Sequence, residues 1–409
     1  MRSAFAALAL VLAVPTAGAQ DAPQTSWTVF AERLYTGDGV RENQLIKVQD
    51  GKITAIGPGS RTGEKGLNAV SVTPGMVDLS VRVLSGWSGV EHADELSPGM
   101  RAADAVDLYD ERWLAVARSG VTTALVSPPD YDVIGGRGLV VKTAGGALGT
   151  ARELVVDSVL RGAIGSQPSM RNHPAFGRPE DLYSRRPTTR MGVEWEQRRA
   201  FYEAVARRDA GEPRPGDDVL LAVLAGELPY FVQAWTTQDI RTTVYLKEEL
   251  VREQLGTPEI VVDAGAEAWR EPDLLVRSGV AVVLPPFPTQ GRTGDGAFMT
   301  QTSAKTLVER GVTVALSAHG DTSAAGSLGR QAGWAMRGGL SLDEALAAVT
   351  TTPARLIGLE DQIGKVATGR AADLVLWSGT PFEASSAVIG VLVDGVLVLD
   401  PRTNDGGDE

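Results

Sequence analysis

The sequence contains no cysteine and only three histidines among its 409 residues. Without cysteine, the chain cannot form a disulfide bond, a thiolate nucleophile or a thiolate metal site. Histidine is the commonest metal ligand and the usual acid–base group near neutral pH, so its scarcity also narrows the chemistry. The three histidines are His92, His173 and His319. The first two lie in polar loops, where a lone histidine is more often solvated than a ligand.

The sequence also lacks an excess of basic residues and a phosphate-binding motif. Its net charge is -12, which argues against nucleic acid or an anionic membrane as a partner. The run Gly135-Gly136-Arg137-Gly138 has neither the dinucleotide spacing nor the P-loop spacing. We interpret it as a place where the backbone passes close to another group. A composition of 43% hydrophobic and 22% charged residues is typical of a globular protein with one large and one smaller domain.

The N-terminal residues MRSAFAALALVLAVPTAGAQ have the pattern of a signal peptide. One arginine precedes an apolar run, and small residues follow at Ala17-Gly18-Ala19. We predict a signal peptide over residues 1–19 and export of the mature chain. The run is too short to be a transmembrane segment, and a retained interfacial anchor is the alternative. An exported protein without cysteine suits a bacterial periplasm.

Both ends of the chain have strand patterns. Alternating apolar positions occur in WTVFAERLYTGDG and LIKVQDGKITAIG, with a hairpin turn at Gln49-Asp50-Gly51-Lys52. ADLVLWSG and VIGVLVDGVLVLD repeat the pattern near the C-terminus, with a turn at Val393-Asp394-Gly395. We predict that residues 20–73 and 366–409 together form a small β-sandwich domain.

The middle of the chain, residues 74–365, alternates strand-like and helix-like segments. Ala200 to Arg208 and Ala304 to Glu309 have helical spacing, and Ser341 opens a helix with a capping box. Repeated strand–helix units over this length favour an α/β fold with a closed (β/α)8 barrel, and an open doubly wound sheet is the alternative. The strand-like runs are MVDLSVRV, TTALVSP, ELPYFVQA, TVYL, EIVVDAG, VAVVLPP and VTVALSAH.

Eight segments in register resemble the amidohydrolase superfamily, in particular its exported imidazolonepropionase-like branch. They cover nearly the whole mature chain and keep the family's order. The resemblance implies a (β/α)8 barrel with a small β-sandwich formed by both ends. The segments are DGKITAIG, VTPGMVD, SGVTTALVSP, IGGRGLVVKTAGG, PTTRMG, LAGELPYFVQA, GVTVALS and TTPARLIGLEDQIGKVATGRAADLVLWSG.

The resemblance also implies a metal-dependent chemistry. Family members use one or two divalent metals, usually zinc, to activate a water that attacks an amide or cyclic-amide carbonyl. Their ligands include a His-x-His pair, a lysine or glutamate, later histidines and a late aspartate. In this chain Ser80 and Arg82 stand at the positions of the His-x-His pair, and Lys142 corresponds to the bridging lysine. The later histidine positions hold Gln233, with Trp235 just after it, and Asp263. The late aspartate position falls on or near His319, with Asp321 two residues on.

Three replacements, at Ser80, Arg82 and Gln233, remove most of the family's coordination sphere. A guanidinium carries a fixed positive charge and has no acceptor, so Arg82 should repel a metal ion and pair with Asp263 or Asp321. We therefore expect no metal cofactor. Asp263, His319 and Asp321 remain as weak metal candidates, and His319 and Asp321 as catalytic candidates.

Two further residues have structural interpretations. We expect Asp78 to hold its strand turn through hydrogen bonds to backbone groups, and Arg190 to pair with a nearby carboxylate. Trp235 either fills the former metal cavity or stacks on a ligand. Ser80 has no visible histidine–aspartate partners, which argues against a serine nucleophile.

Three functional hypotheses follow. The first is a protein with a degenerate, metal-free site that binds a small molecule or acts as partner subunit to an active amidohydrolase homologue. The second is a working hydrolase of non-peptide C–N bonds with zinc or another divalent metal in a rearranged single-metal site. The third is a metal-free lyase or isomerase that uses Asp321, His319 and Arg82. Each hypothesis implies a small-molecule ligand or substrate.

Overall fold

The computed structural model describes residues 26–82, 89–91, 93–146, 149–170, 186–287 and 294–403. The predicted signal peptide, His92 and His173 lie outside these residues. The strands are β1 (Trp27–Tyr35), β2 (Val40–Gln49), β3 (Lys52–Pro58), β4 (Leu67–Pro74), β5 (Met76–Val81), β6 (Val121–Val126), β7 (Ile134–Arg137), β8 (Leu139–Lys142), β9 (Arg152–Val155), β10 (Leu160–Ala163), β11 (Tyr230–Gln233), β12 (Ile260–Asp263), β13 (Ala281–Leu284), β14 (Val314–Leu316), β15 (Leu374–Trp377), β16 (Val388–Val393) and β17 (Val396–Leu399). The helices are α1 (Arg112–Arg118), α2 (Gln167–Met170), α3 (Arg190–Ala210), α4 (Asp217–Leu224), α5 (Thr237–Arg252), α6 (Pro272–Ser278), α7 (Ser303–Glu309), α8 (Leu328–Arg337), α9 (Leu342–Val349) and α10 (Thr351–Leu356).

Strands from both ends of the chain form one seven-stranded sheet in the order β17-β16-β15-β4-β1-β2-β3. Its two hairpins turn where the sequence predicted: Asp50 and Gly51 join β2 to β3, and Asp394 and Gly395 join β16 to β17, all four with positive φ. Glycine tolerates that region without steric conflict, and aspartate does so more readily than most residues. The joining of both ends in one sheet agrees with the prediction, whereas the sandwich arrangement and the domain boundaries stay predictions.

The middle of the chain forms two sheets covered by helices, an α/β architecture. One has the order β14-β13-β12-β11-β10-β7, in which β10 to β14 run parallel, and the other has the order β5-β6-β8-β9. The run TVYL, predicted as a strand, lies instead inside helix α5. Thr236 and Asp239 form a capping box that starts this helix, and Ile240 and Val244 are buried one turn apart. The capping box and the helical spacing of the buried residues therefore outweigh the strand propensity of TVYL, and the run is helical.

Alternate residues of the parallel strands pack on opposite sides of the sheet. Val232, Val262 and Val282 belong to the large core beneath the helices. Their neighbours Phe231 and Val261 belong to a second core. That second core also takes residues from both sheets of the middle region: Val77, Leu79, Leu125, Val140, Val283 and Ala315. One side of the six-stranded sheet and one side of the four-stranded sheet thus share a single hydrophobic core.

The two sheets also approach each other at β5 and β14, where the backbone N–H of Arg82 donates to the carbonyl oxygen of His319 over 3.3 Å. A shared core and this contact are consistent with a barrel wall, and closure into a (β/α)8 barrel stays a prediction. Across the described ranges, no helix combines the length and apolar character that crossing a membrane requires.

Candidate functional site

The C-terminal ends of the middle strands place a cluster of polar side chains together. Gln233 and Asp263 are the last residues of β11 and β12 and lie opposite each other in the strand register. They continue the inward-facing row that begins with Phe231 and Val261. Ser80 lies near the end of β5, where the register with β6 shifts between Asp78 and Val81. The carboxyl ends of parallel strands are the usual position of a ligand site in this fold class.

Arg161, on β10, stands at the centre of this cluster. Its guanidinium is 4% exposed and lies between two buried carboxylates. Nε donates to Asp130 Oδ1 over 2.7 Å and Nη2 donates to the same oxygen, while Nη1 lies 2.6 Å from Asp263 Oδ2. Sequence reasoning missed this residue because it lies in no family motif. The available signal was an arginine inside the apolar run VVDSVLRGAIG.

Asp130, in the loop after β6, has all of its acceptor positions in use. Oδ1 accepts the two hydrogen bonds from Arg161, and Oδ2 accepts from Gln233 Nε2 over 2.9 Å and from Arg82 Nη2 over 3.2 Å. A carboxylate has about four lone-pair sites. Asp130 therefore has no capacity left for a metal ion or for a donor on a ligand, and it too was absent from the sequence prediction.

Arg82 pairs with Asp130, so the prediction that it would pair with Asp263 or Asp321 is wrong. Asp263 is instead engaged by Arg161 and by Ser80, whose Oγ donates to Asp263 Oδ2 over 2.9 Å. The Arg82 side chain is 43% exposed and lies at the outer side of the cluster. The sequence predicted a cation in the site, but the buried cation is Arg161.

Asp263 remains charged in this setting. Burial raises the pKa of its carboxyl, but the charges of Arg161 and Arg82 and the contact with Arg161 outweigh that effect, so the pKa lies below its usual value. Oδ1 of the same carboxylate is buried and has no hydrogen-bond partner among the described residues.

His319 follows β14 and adopts a positive φ of 53°. The residue is partly exposed, but its Nε2 is enclosed and has no hydrogen-bond partner in the part of the chain that the structure covers. Burial and the positive charge of Arg82 lower the pKa of the imidazole to about 3. His319 is therefore neutral near pH 7 and lies within electrostatic range of Asp263.

Asp78 holds the loop that carries His319. Its carboxylate accepts from Ser317 Oγ over 2.6 Å and from the backbone N–H groups of Ser80, Ala318 and Gly320. Burial raises the pKa of Asp78, and these hydrogen bonds partly oppose the rise. The structural interpretation of Asp78 is confirmed. Arg190 likewise pairs with carboxylates, those of Asp239 and Asp295.

Three predicted residues lie away from the cluster. Asp321 is exposed and accepts from the backbone N–H of Ser323 over 2.8 Å, in its own turn. Trp235 packs against the large core beneath the helices. Lys142 is 1% exposed and contacts Asp373, and lies 3.6 Å from Asp394, residues of the seven-stranded sheet. Because Lys142 pairs with Thr123 near the start of β6, it lies at the opposite end of the strands from Gln233 and Asp263.

The cluster does not fit a divalent cation. Within the described residues, no group of three or more histidine, aspartate or glutamate side chains is placed to hold a metal ion. The two carboxylates of the cluster already face the fixed charge of Arg161, and Arg82 adds a second positive charge. A metal ion at this position would be repelled by both guanidinium groups and would have to displace Arg161 from its carboxylates.

Comparison with known proteins relates this geometry to a family. Residues 297–398 match the amidohydrolase family. The curated amidohydrolase tasK of Hapsidospora irregularis is 27% identical in an alignment 404 residues long, which covers 90% of this chain and 40% of tasK. The imidazolonepropionase of Cupriavidus pinatubonensis is 60% identical, but over only 38 residues and 9% of each protein. The chain thus spans well under two thirds of the length of either curated relative.

A solved structure covers the fold more fully. The amidohydrolase from Thermotoga maritima MSB8 superposes with a TM-score of 0.76 at 24% identity, covering 91% of this chain and all of that one. At this identity the likeness shows the fold, which is that of the amidohydrolases. The short imidazolonepropionase match supports the narrower branch only weakly. Residues 297–398 thus match the amidohydrolase family, and over most of its length this chain has the fold of the Thermotoga maritima amidohydrolase.

Proposed function

We propose that this amidohydrolase-fold protein binds a small molecule at a site organised by Arg161 rather than by a divalent metal. One observation carries the proposal: the buried Arg161 guanidinium lies between Asp130 and Asp263, at the strand ends where the family resemblance places the metal. The guanidinium pairs with both carboxylates, Arg82 supplies the second positive charge, and a metal ion would have to displace Arg161 to reach the carboxylates. On this proposal the chain does not hydrolyse C–N bonds by metal-activated water.

The experiment is metal analysis of the purified protein. The chain is expressed with its N-terminal segment, purified without chelators or a histidine tag, and its zinc, manganese and iron are measured by elemental mass spectrometry. We expect no stoichiometric metal, and the same thermal unfolding midpoint with and without EDTA, because a ligand that does not bind the native state does not stabilise it. One metal ion per chain would overturn the proposal.

A second candidate is a hydrolase with a rearranged single-metal site. The observation that favours it is that Asp263 Oδ1 and His319 Nε2 are both buried and unpartnered within the described residues. Two such donors are too few for a structural or catalytic zinc site, which uses three or four protein ligands. If metal is found, Asp263→Asn and His319→Asn should each lower the metal content, whereas Asp321→Asn should not.

Two further parts of the proposal concern partner and location. Partnership with an active homologue predicts that the two proteins co-purify, which affinity capture with this chain as bait would test.

Export predicts that the mature chain begins at Gln20, because residues 1–19 have the signal-peptide pattern. N-terminal sequencing of the protein from the periplasmic fraction tests that, and an intact Met1 would contradict it.

A further inference from the structure

We propose that the pocket beside Arg161 binds a small carboxylate that carries an N–H or O–H donor next to its acid group. This inference rests on the proposed function and adds the chemical class of the ligand. It is argued from four features of the pocket: its size, the spare donors of Arg82, the fixed orientation of Gln233 and the saturation of Asp130.

The pocket opens at the C-terminal ends of the strands and has a volume of about 160 Å³. A cavity of ~150 Å³ accommodates a molecule the size of benzene. Val81, Pro128 and Pro129 supply apolar wall, and Arg82, Ser127 and Gln233 supply polar groups. The pocket therefore fits a compact metabolite with a short carbon skeleton, and is too small for a peptide or a nucleotide.

Arg82 provides the anion-binding end of the pocket. A guanidinium has five N–H donors, and one of those of Arg82 donates to Asp130. Its remaining donors have no partner among the described residues, and the side chain is 43% exposed at the pocket wall. A planar carboxylate matches the donor geometry of a guanidinium better than a spherical anion does.

Gln233 provides an acceptor whose orientation is fixed. Its Nε2 must face Asp130, because a carboxylate accepts hydrogen bonds and the amide oxygen cannot donate one. The side chain is 1% exposed, Oε1 is buried with no partner in the described ranges, and Gln233 is among the residues that line the pocket. A buried acceptor without a donor is energetically unfavourable. An N–H or O–H group of a ligand, placed at Oε1, would remove that cost.

Asp130 explains why the ligand is an anion rather than a cation. Its lone pairs are all occupied by Arg161, Gln233 and Arg82, so it cannot accept from an ammonium group. A cation in the pocket would face Arg82 and Arg161, and Asp130 is the one carboxylate among the described residues that line the pocket. Ser127 Oγ, which is buried and unpartnered among the described side chains, adds a neutral donor or acceptor at the wall.

N-acetylglycine is a suitable probe because it combines a carboxylate with an amide N–H in a skeleton slightly larger than benzene. Two analogues remove one feature each: N-acetylglycinamide lacks the negative charge, and N-acetylsarcosine lacks the N–H. Binding is measured by isothermal titration calorimetry in 0.15 M NaCl with EDTA present, so that neither a metal ion nor bulk electrostatics produces the signal. We expect saturable binding of N-acetylglycine and at least about tenfold weaker binding of each analogue.

The variant Arg82→Gln should weaken binding of N-acetylglycine by about 10- to 100-fold, since a hydrogen bond to a charged group is lost. Arg82→Lys keeps the charge and should retain part of the affinity. Arg310→Gln is the matched control, because Arg310 also pairs with one aspartate, Asp273, but lies in an exposed ion pair outside the pocket. Arg82 is partly exposed, so its replacement should leave the fold intact, which the thermal unfolding midpoint verifies.

Four results would overturn the proposal: no saturable binding of N-acetylglycine, equal binding of N-acetylglycinamide, equal binding of N-acetylsarcosine, or equal binding by Arg82→Gln and the wild-type chain. These failures are distinct from failure of the proposed function. The metal content of the same sample decides whether Arg161 replaces a metal, whereas the titrations in EDTA decide whether Arg82 and Gln233 recognise a carboxylate. A metal-free protein that ignores all three compounds would support the first proposal and reject this one.

Discussion

At the scale of single residues, the site depends on the placement of one buried cation. Arg161 pairs with both Asp130 and Asp263, which are themselves excluded from water, and Arg82 balances the second negative charge at Asp130. Ionised carboxylates are buried only when paired, because each loses several kcal/mol of hydration. The charge of Arg161 also keeps the pKa of Asp263 below its usual value, whereas burial and the charge of Arg82 lower the pKa of His319. Arg161 therefore stabilises the ionised form of Asp263 as well as its position.

Replacement of Arg161 should destabilise the protein strongly. Arg161→Met leaves buried Asp263 without its cation and Asp130 with only the partly exposed Arg82, and we expect a loss of about 3–5 kcal/mol in the free energy of unfolding. Urea denaturation of the variant and of the wild-type chain measures it. The exposed pair of Arg310 and Asp273 supplies the control, since Arg310→Met should cost less than about 1 kcal/mol. Equal losses in the two variants would show that Arg161 does not neutralise a buried charge.

The buried imidazole of His319 should make stability depend on pH. Its pKa is about 3 in the folded protein, below the ordinary value, so between pH 6.5 and 3 the unfolded chain binds a proton that the folded chain does not. Stability is then complete above pH 6.5 and falls as the pH decreases, with a slope of at most ~1.4 kcal/mol per pH unit from this residue. Urea denaturation at pH 7, 6 and 5 measures the slope.

His319→Asn isolates this contribution. Asparagine tolerates the positive φ at this position and does not titrate. The difference in unfolding free energy between wild type and variant should therefore shrink from pH 7 to pH 5. His92 and His173 are present in both proteins, so any effect of their titration on stability cancels in this difference. A difference that stays constant with pH would mean that the imidazole is solvated and titrates normally.

At the scale of the elements, the strand ends are tied together by side chains of their neighbours. Asp78 on β5 binds the loop after β14 through one side chain and two backbone groups. The positive φ of His319 is maintained by this loop, because Asp78 fixes the residues on either side of it. The position of His319 thus depends on a residue of a different sheet.

Asp78→Asn should loosen that connection. The amide nitrogen cannot accept, so two of the four groups that donate to Asp78 lose their partner in a buried site. We expect a loss of about 2 kcal/mol or more in unfolding free energy. Asp321→Asn is the control in the adjacent turn, where exposure should limit the loss to less than about 1 kcal/mol. A smaller effect at Asp78 than at Asp321 would contradict the structural role.

The elements were more predictable from sequence than the site was. Alternating apolar positions and Asp-Gly turns specified the hairpins of the seven-stranded sheet, since these signals are local. The run TVYL was mistaken because four residues cannot reveal the helical period of α5. Arg161 was missed because its importance comes from Asp130 and Asp263, which are distant in sequence and adjacent only after folding. The replaced family positions Ser80, Gln233 and Asp263 lie together with Arg161 in the folded structure, and a functional role for this cluster stays a prediction.

At the scale of the whole molecule, Lys142 joins the middle region to the seven-stranded sheet. It extends from β8 and contacts Asp373, beside β15, and lies near Asp394 in the turn after β16. Burial raises the pKa of Asp373, even though the neighbouring charge of Lys142 opposes the rise. The position that resembles the family's bridging lysine thus has a structural role in this chain, far from the pocket.

Removal of this lysine should therefore weaken the contact between the sheets and leave the pocket unchanged. Lys142→Met fills a similar volume but leaves Asp373 buried beside Asp394 without a cation, and we expect a loss of about 3–5 kcal/mol in unfolding free energy. The double variant Lys142→Met/Asp373→Asn removes the unpaired charge and should recover part of that loss. Urea denaturation measures both variants, and titration with N-acetylglycine should give the wild-type affinity in each. A weakened affinity with unchanged stability would instead assign Lys142 to the ligand site, as the family resemblance suggested.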